Sequence, residues 1–288
     1  MSAEVPTDQP PPEQLPPDRH AVRLTNVEKV FTRPGAGATR ALEDINLAIA
    51  PGEFVSLIGP SGCGKSTLLR IVGDLISPTA GEVEVNGKPA HRARLERDYG
   101  MVFQAPVLFD WRTVEGNVRL PLELLGVDRR QRAERAHAML ELVELGGFTR
   151  HYPHQLSGGM QQRVAIARAL VLEPALLLMD EPFGALDEMT RERLNAEVLR
   201  IWGQTRTTII FVTHSIPEAV FLSTRVVVMS PRPGRITNVI DIDLGQPRNE
   251  QTRETEHYFE LVTQVRESLR GRHGAESGGR LRAEGPVG

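Results

Sequence analysis

The run Gly59-Pro60-Ser61-Gly62-Cys63-Gly64-Lys65-Ser66-Thr67 constrains this chain more than any other feature, because it satisfies the pattern G-x-x-x-x-G-K-[ST]. The apolar stretch Phe54-Val55-Ser56-Leu57-Ile58 precedes it, and Leu68, Leu69, Ile71 and Val72 follow at helical spacing. Strand, glycine loop and helix in that order are the context the pattern demands. The glycines permit backbone conformations that aim successive N–H groups at one anion, and the helix start adds the positive end of its dipole. Lys65 then supplies a point charge to terminal phosphates, and Ser66 offers a hydroxyl to Mg²⁺. Only Lys29, Lys65 and Lys88 among the 34 basic residues are lysines, which agrees with a need for a compact ammonium at position 65. Cys63 reads as a small filler whose backbone N–H does the binding, rather than as a redox group.

Three further apolar runs, Ala175 to Met179, Thr208 to Val212 and Arg225 to Met229, alternate with helical stretches. Continuous apolar strands separated by helices indicate a parallel sheet covered on both faces, hence an α/β core. Asp180 and Glu181 end the first of these runs, at the sheet edge where open α/β proteins bind ligands. Asp180 can hold Mg²⁺ and Glu181 can polarise an attacking water as general base. From about Pro106 to Tyr152 the pattern changes to Val118, Leu120, Leu122, Leu124, Leu125 and then Arg129 to Leu145, a helical insertion.

At 288 residues the chain makes one large domain or two modest ones. A net charge of −3 argues against a strongly basic nucleic-acid binder, and one cysteine rules out a disulfide framework. No apolar run approaches the roughly 20 residues a spanning helix needs, and the start lacks the order of a secretory signal. A reducing cytosol fits best. Residues 1–18 hold six of the 21 prolines, four acids and no basic residue, which reads as a disordered leader; 271–288 reads as a similar tail.

Leu156-Ser157-Gly158-Gly159-Met160, followed by Gln161 to Leu170, resembles the signature motif and helix of ATP-binding cassette (ABC) ATPases, with Met160 where Gln is usual. Ser157 and two glycines opening a helix form a second anion site, apart from the first. The resemblance implies a P-loop ABC-type nucleotide-binding domain at 20–245, with a RecA-like core, an antiparallel β subdomain and an α-helical subdomain at about 106–157. One terminal helix is expected at 246–270. The resemblance also implies ATP and Mg²⁺ as ligands and a homodimer in which one subunit's signature closes on the other's ATP. Gln104 matches the family's glutamine loop, which meets Mg²⁺, and Gly184-Ala185-Leu186-Asp187 the loop crossing the dimer interface. His214 matches the switch histidine at the γ-phosphate, although a lone histidine at a strand end is commonly structural. Phe31 takes the place of the aromatic on which adenine stacks, and could equally anchor the first hairpin.

Pro106 to Val118, with Trp111, Arg112 and Asn117, resembles a stretch of the nitrate, sulfonate and taurine importer group, as does the turn Ser230 to Ile236. That implies an ATP-hydrolysing subunit at the cytoplasmic face of the membrane, docked on separate permease subunits and served indirectly by a solute-binding protein. Nitrate, alkanesulfonates, taurine, bicarbonate and a pyrimidine are all compatible solutes. A soluble ABC switch without a permease stands as the alternative, and a small-molecule P-loop kinase would need no signature.

Overall fold

The structure, a computed structural model, describes residues 20–33 and 37–271. The expected leader and the expected tail beyond Gly271 lie outside these residues. Among the described residues ten strands form two sheets. The smaller is antiparallel and ordered β2-β1-β4-β5, from β1 (Val22–Arg33), β2 (Gly37–Ile49), β4 (Ala80–Val85) and β5 (Lys88–Pro89). The larger is ordered β10-β9-β3-β8-β7-β6, from β3 (Phe54–Ile58), β6 (Tyr99–Phe103), β7 (Leu176–Asp180), β8 (Thr208–Val212), β9 (Arg225–Met229) and β10 (Ile236–Asp241).

Strands β3, β7 and β8 are buried at every residue, as continuous apolar runs in a parallel sheet should be. Only the edge strand β10 runs antiparallel to its neighbour. On one face, α1 (Lys65–Val72) packs Leu68, Leu69 and Ile71 between this sheet and Val22, Ile45 and Ile49 of the smaller one, and the short α2 (Ala90–Glu96) adds Ala90 and Ala93 to the same cluster. On the other, Phe54 and Phe211 meet the helices α3 (Val114–Leu124), α5 (Gly158–Leu170), α6 (Glu188–Thr205) and α7 (Ile216–Leu222). An α/β core with an antiparallel sheet and a helical part is the fold class expected from the sequence.

Register decides where the loops emerge. Phe103 pairs with Asp180, Asp180 with Val212, and Leu57 with Val212, so four parallel strands finish at one edge. Gly59, Gln104, Glu181 and Thr213 therefore leave the sheet side by side, about 4.8 Å apart from strand to strand.

The helical stretch runs through α3, capped by Thr113 accepting from Gly116 N at 3.1 Å, and α4 (Arg129–Leu142), capped by Asp128 accepting from Arg130 N at 2.8 Å. Asn117 is wholly buried in α3 and organises the loop before it. Its Oδ1 accepts from Phe109 N, and its Nδ2 donates to the carbonyls of Phe109, Arg112 and Thr113.

The terminal helix does not begin at 246. Asn249 caps a 3-10 turn at Glu250–Glu254, and Thr255 caps α8 (Glu256–Arg270) by accepting from Tyr258 N. Arg248 ties this segment down: its guanidinium donates to the carbonyls of Val220, Phe221, Ser223 and Leu244. Burial lowers its pKa to about 10, which still leaves it charged at neutral pH. Arg248→Ala would leave the last carbonyls of α7 unpaired, so a loss of about 3 kcal/mol is expected, read as a lower urea midpoint in equilibrium unfolding.

Candidate functional site

Gly64 has φ of +112°, and a Cβ there would lie 2.6 Å from Leu42 Cδ2 and 3.1 Å from Ala41 O. Only glycine fits, and this bend starts α1 with Lys65 at its first position. Lys65 is almost fully buried and its ammonium donates to Gly59 O at 2.8 Å and Pro60 O at 3.2 Å. The charge is thus folded over an open loop. Ser61, Gly62, Gly64, Lys65, Ser66 and Thr67 line a cavity of about 720 Å³. Gly59 and Cys63 of the same loop are buried beneath it and do not line the cavity, and Cys63 N donates back to Pro60 O at 3.2 Å. Burial pushes the Cys63 thiol above its usual range, against the pull of Lys65, which suits a filler and not a nucleophile.

At the edge of β7, Asp180 accepts from the Ser66 hydroxyl at 2.6 Å through Oδ1, and Arg70 stands 3.8 Å from Oδ2. Both groups are hard oxygen donors at one corner of the cavity, a set that suits Mg²⁺ completed by phosphate and water oxygens. Among the described residues no cluster of three His, Cys, Asp or Glu could hold a metal by itself. Glu181 adopts φ of +46°, uncommon for a non-glycine residue, and this turns its side chain off the strand line into the cavity. Its backbone is pinned by Glu181 N donating to Val212 O at 3.0 Å. His214 follows β8 and its Nδ1 lies 3.4 Å from Glu181 Oε2. Phe31 is 41% exposed on the cavity wall, with the Lys29 ammonium 5.1 Å from its ring centre.

Other predicted residues do not line this cavity. Gln104 is exposed beside Gly184, where a Cβ would meet its Nε2 at 3.2 Å. Asp187 caps α6 by accepting from Thr190 N at 3.0 Å, and that backbone contact holds its carboxyl below the usual range. Ser157 caps α5 by accepting from Met160 N at 3.3 Å. Ser157 and Gly159 line a different cavity, of about 850 Å³, which shares no residue with the first. Gly158 and Gly159 back onto Leu186 and Thr190 of the same chain.

Sequence reasoning missed Arg232. Its Nε and Nη2 donate to Gly62 O at 3.3 and 3.1 Å, on the rim of the nucleotide-sized cavity. The turn Ser230 to Ile236, read from sequence as a structural turn, packs directly on the loop: a Cβ on Gly234 would stand 2.1 Å from Cys63 O. Two prolines and a glycine signalled the turn but not its neighbour.

A profile of the ABC transporter family matches residues 42–184. An uncharacterised ABC transporter ATP-binding protein of Methanocaldococcus jannaschii is 47% identical over 250 residues, 86% of this chain and 92% of its own. An aliphatic sulfonates import ATP-binding protein of Bacillus subtilis is 47% identical over 232 residues, covering 81% of this chain and 89% of that one. Among solved structures, an ATP-binding cassette seen as a dimer in a post-hydrolysis state, bound to ADP and Pi, is 38% identical with a TM-score of 0.67. That likeness covers 77% of this chain and 98% of the other.

Proposed function

Since this chain belongs to the ABC transporter family as an ATP-binding subunit that hydrolyses ATP, we propose that it energises uptake of a sulfonate-like solute through separate membrane permease subunits. The observation that carries the hydrolytic site is the meeting of Lys65, Ser66, Asp180, Glu181 and His214 at one sheet edge. The importer reading draws support from the sulfonate-import relatives and from Trp111.

In this reading ATP lies along the loop with Phe31 at its base end, and Lys65 releases the Gly59 and Pro60 carbonyls to meet the terminal phosphates. Ser66, Asp180 and Gln104 would hold Mg²⁺, which when bound would supply neutralisation of phosphate charge. Ser157, Gly158 and Gly159 of a second copy close over the γ-phosphate, which accounts for a signature that shares no cavity with its own loop. Asp187 lies at that closing interface. Glu181 then takes a proton from the attacking water, and His214 holds the γ-phosphate in line. Closure and opening of the homodimer drive the permease between its two states at the cytoplasmic face of the membrane, with a solute-binding protein delivering the cargo outside.

Among the described residues no helix is long and apolar enough to cross a membrane; in this reading separate permease subunits supply the spanning part. Trp111 is 75% exposed, its ring 4.9 Å from Phe109, on a loop fixed from behind by Asn117. An exposed tryptophan on a rigid platform makes an anchor for a docking helix. Trp111→Ala is expected to cut co-purification with co-expressed permease subunits about tenfold or more, while ATP hydrolysis by the isolated chain stays unchanged. Full retention of the permease by Trp111→Ala would count against the docking face, and ATP-driven uptake of an alkanesulfonate into vesicles carrying the whole complex tests the cargo.

A further inference from the structure

Behind the Glu181 and His214 pair lies a carboxyl group that the hydrolytic reading leaves unused. Glu218 of α7 is 5% exposed, and its Oε2 accepts from the Thr213 hydroxyl. Thr213 Oγ1 in turn accepts from Ser215 N at 3.0 Å, and the Ser215 hydroxyl accepts from Glu218 N at 3.4 Å. Both residues flanking His214 are therefore tied to Glu218. Its other oxygen, Oε1, is buried without a hydrogen-bond partner, and the same is true of Oδ1 of Asn195, which is 2% exposed.

Asn195 is a polar neighbour of Glu218, and Arg191 and His214 are the charges near it. Arg191 and Asn195 lie four residues apart and so share one face of α6. Arg191 also donates to Leu186 O at 2.9 Å, inside the loop Gly184 to Asp187. Glu181, Gly184, Arg191, Thr213, His214 and Glu218 wall one small cavity. Two orphaned buried acceptors on neighbouring helices are costly, and a hydrogen bond between the Glu218 carboxyl and the Asn195 amide, turned to donate its N–H to Oε1, relieves that cost. Burial raises the Glu218 carboxyl above its ordinary range, opposed first by the Thr213 hydroxyl.

We propose that Glu218 is a positioning residue for hydrolysis, whose carboxyl ties the His214 turn through Thr213 to α6 through Asn195. The setting of His214 against Glu181 is then linked to the helix that carries the interface loop. Glu218 touches no reacting atom in this scheme; it acts through His214, and the inference rests on the reading of His214 as the group that meets the γ-phosphate.

The test compares kcat and KM for ATP in the full chain and its variants. Glu218→Ala is expected to lower kcat about tenfold or more with KM within about twofold, because nucleotide binding lies elsewhere. Glu218→Gln keeps an acceptor for Thr213 and offers an amide donor to Asn195, so it should recover kcat to within about threefold of the parent. Thr213→Val breaks the same link by another route and should repeat the alanine loss even where Glu218→Ala does not fold. Parent-like kcat in Glu218→Ala or Thr213→Val, a glutamine variant as impaired as alanine, or a loss confined to KM would each overturn the inference. His214→Ala separates the two readings. If it hydrolyses normally, the role of His214 falls and takes this inference with it; if it is inactive while Glu218→Ala is normal, the tether alone falls.

Discussion

Replacing Glu181 by glutamine is expected to lower ATP hydrolysis about 10²–10⁴-fold while leaving nucleotide binding intact. Glutamine has the shape of glutamate and can adopt the same φ of +46°, so the Val212 contact and the direction of the side chain persist. What disappears is the basic oxygen proposed to accept the water's proton. Lys65, Ser66 and Asp180, assigned to the phosphates and Mg²⁺ in the same proposal, are untouched. A bound but uncleaved ATP keeps two copies closed, so the variant should accumulate as an ATP-dependent dimer on size-exclusion chromatography. Single-turnover hydrolysis supplies the rate. A variant that stays monomeric with ATP and still turns over would remove both the general base and the closing step.

The effect is large because so much converges on one side chain, and how that convergence was readable differs from residue to residue. Lys65, Ser66, Asp180 and Glu181 were legible because the chemistry is written locally: a strand, then a turn, then the functional group, at positions that any parallel sheet places on one edge. His214 needed one more fact, that β8 lies beside β7, and only strand order supplies it. Arg232 needed a contact across 170 residues between a turn and the Gly62 carbonyl, and no periodicity encodes such a pairing. Glu218 was hidden for a different reason. An acid within the first turn of a helix reads as an ordinary response to the helix dipole, and only burial with an orphaned oxygen sets it apart. Asn117 was legible as part of a motif, yet its work of fastening the loop beneath Trp111 lies in four hydrogen bonds that no residue pattern announces. The terminal helix starts ten residues later than the expected 246: its apolar face begins only at Tyr258, and what precedes it is held by the Arg248 guanidinium and not by helical packing.

The separation of the two proposed anion sites leads to the second large effect. One chain holds the phosphate loop in one cavity and Ser157 with Gly159 in another, and Gly158 and Gly159 back onto Leu186 and Thr190 of their own chain, so within one copy the two stand apart. A two-fold dimer joins them twice, each site taking its loop from one copy and its signature from the other. Lys65→Ala removes the cation facing the phosphates, and Ser157→Arg blocks the signature with a bulky side chain at the start of α5. Each variant alone is expected to lose about 10²-fold or more in hydrolysis. Mixed in equal amounts and allowed to exchange, about half of the dimers contain one of each, and one of their two sites then carries an intact loop facing an intact signature. If the sites work independently, activity returns to about a quarter of the parent rate, and any strong coupling between sites lowers that figure without abolishing it. A mixture as inactive as its parts, under conditions where exchange is verified by differently tagged copies, would mean that the signature serves some purpose other than closing on a neighbour's ATP.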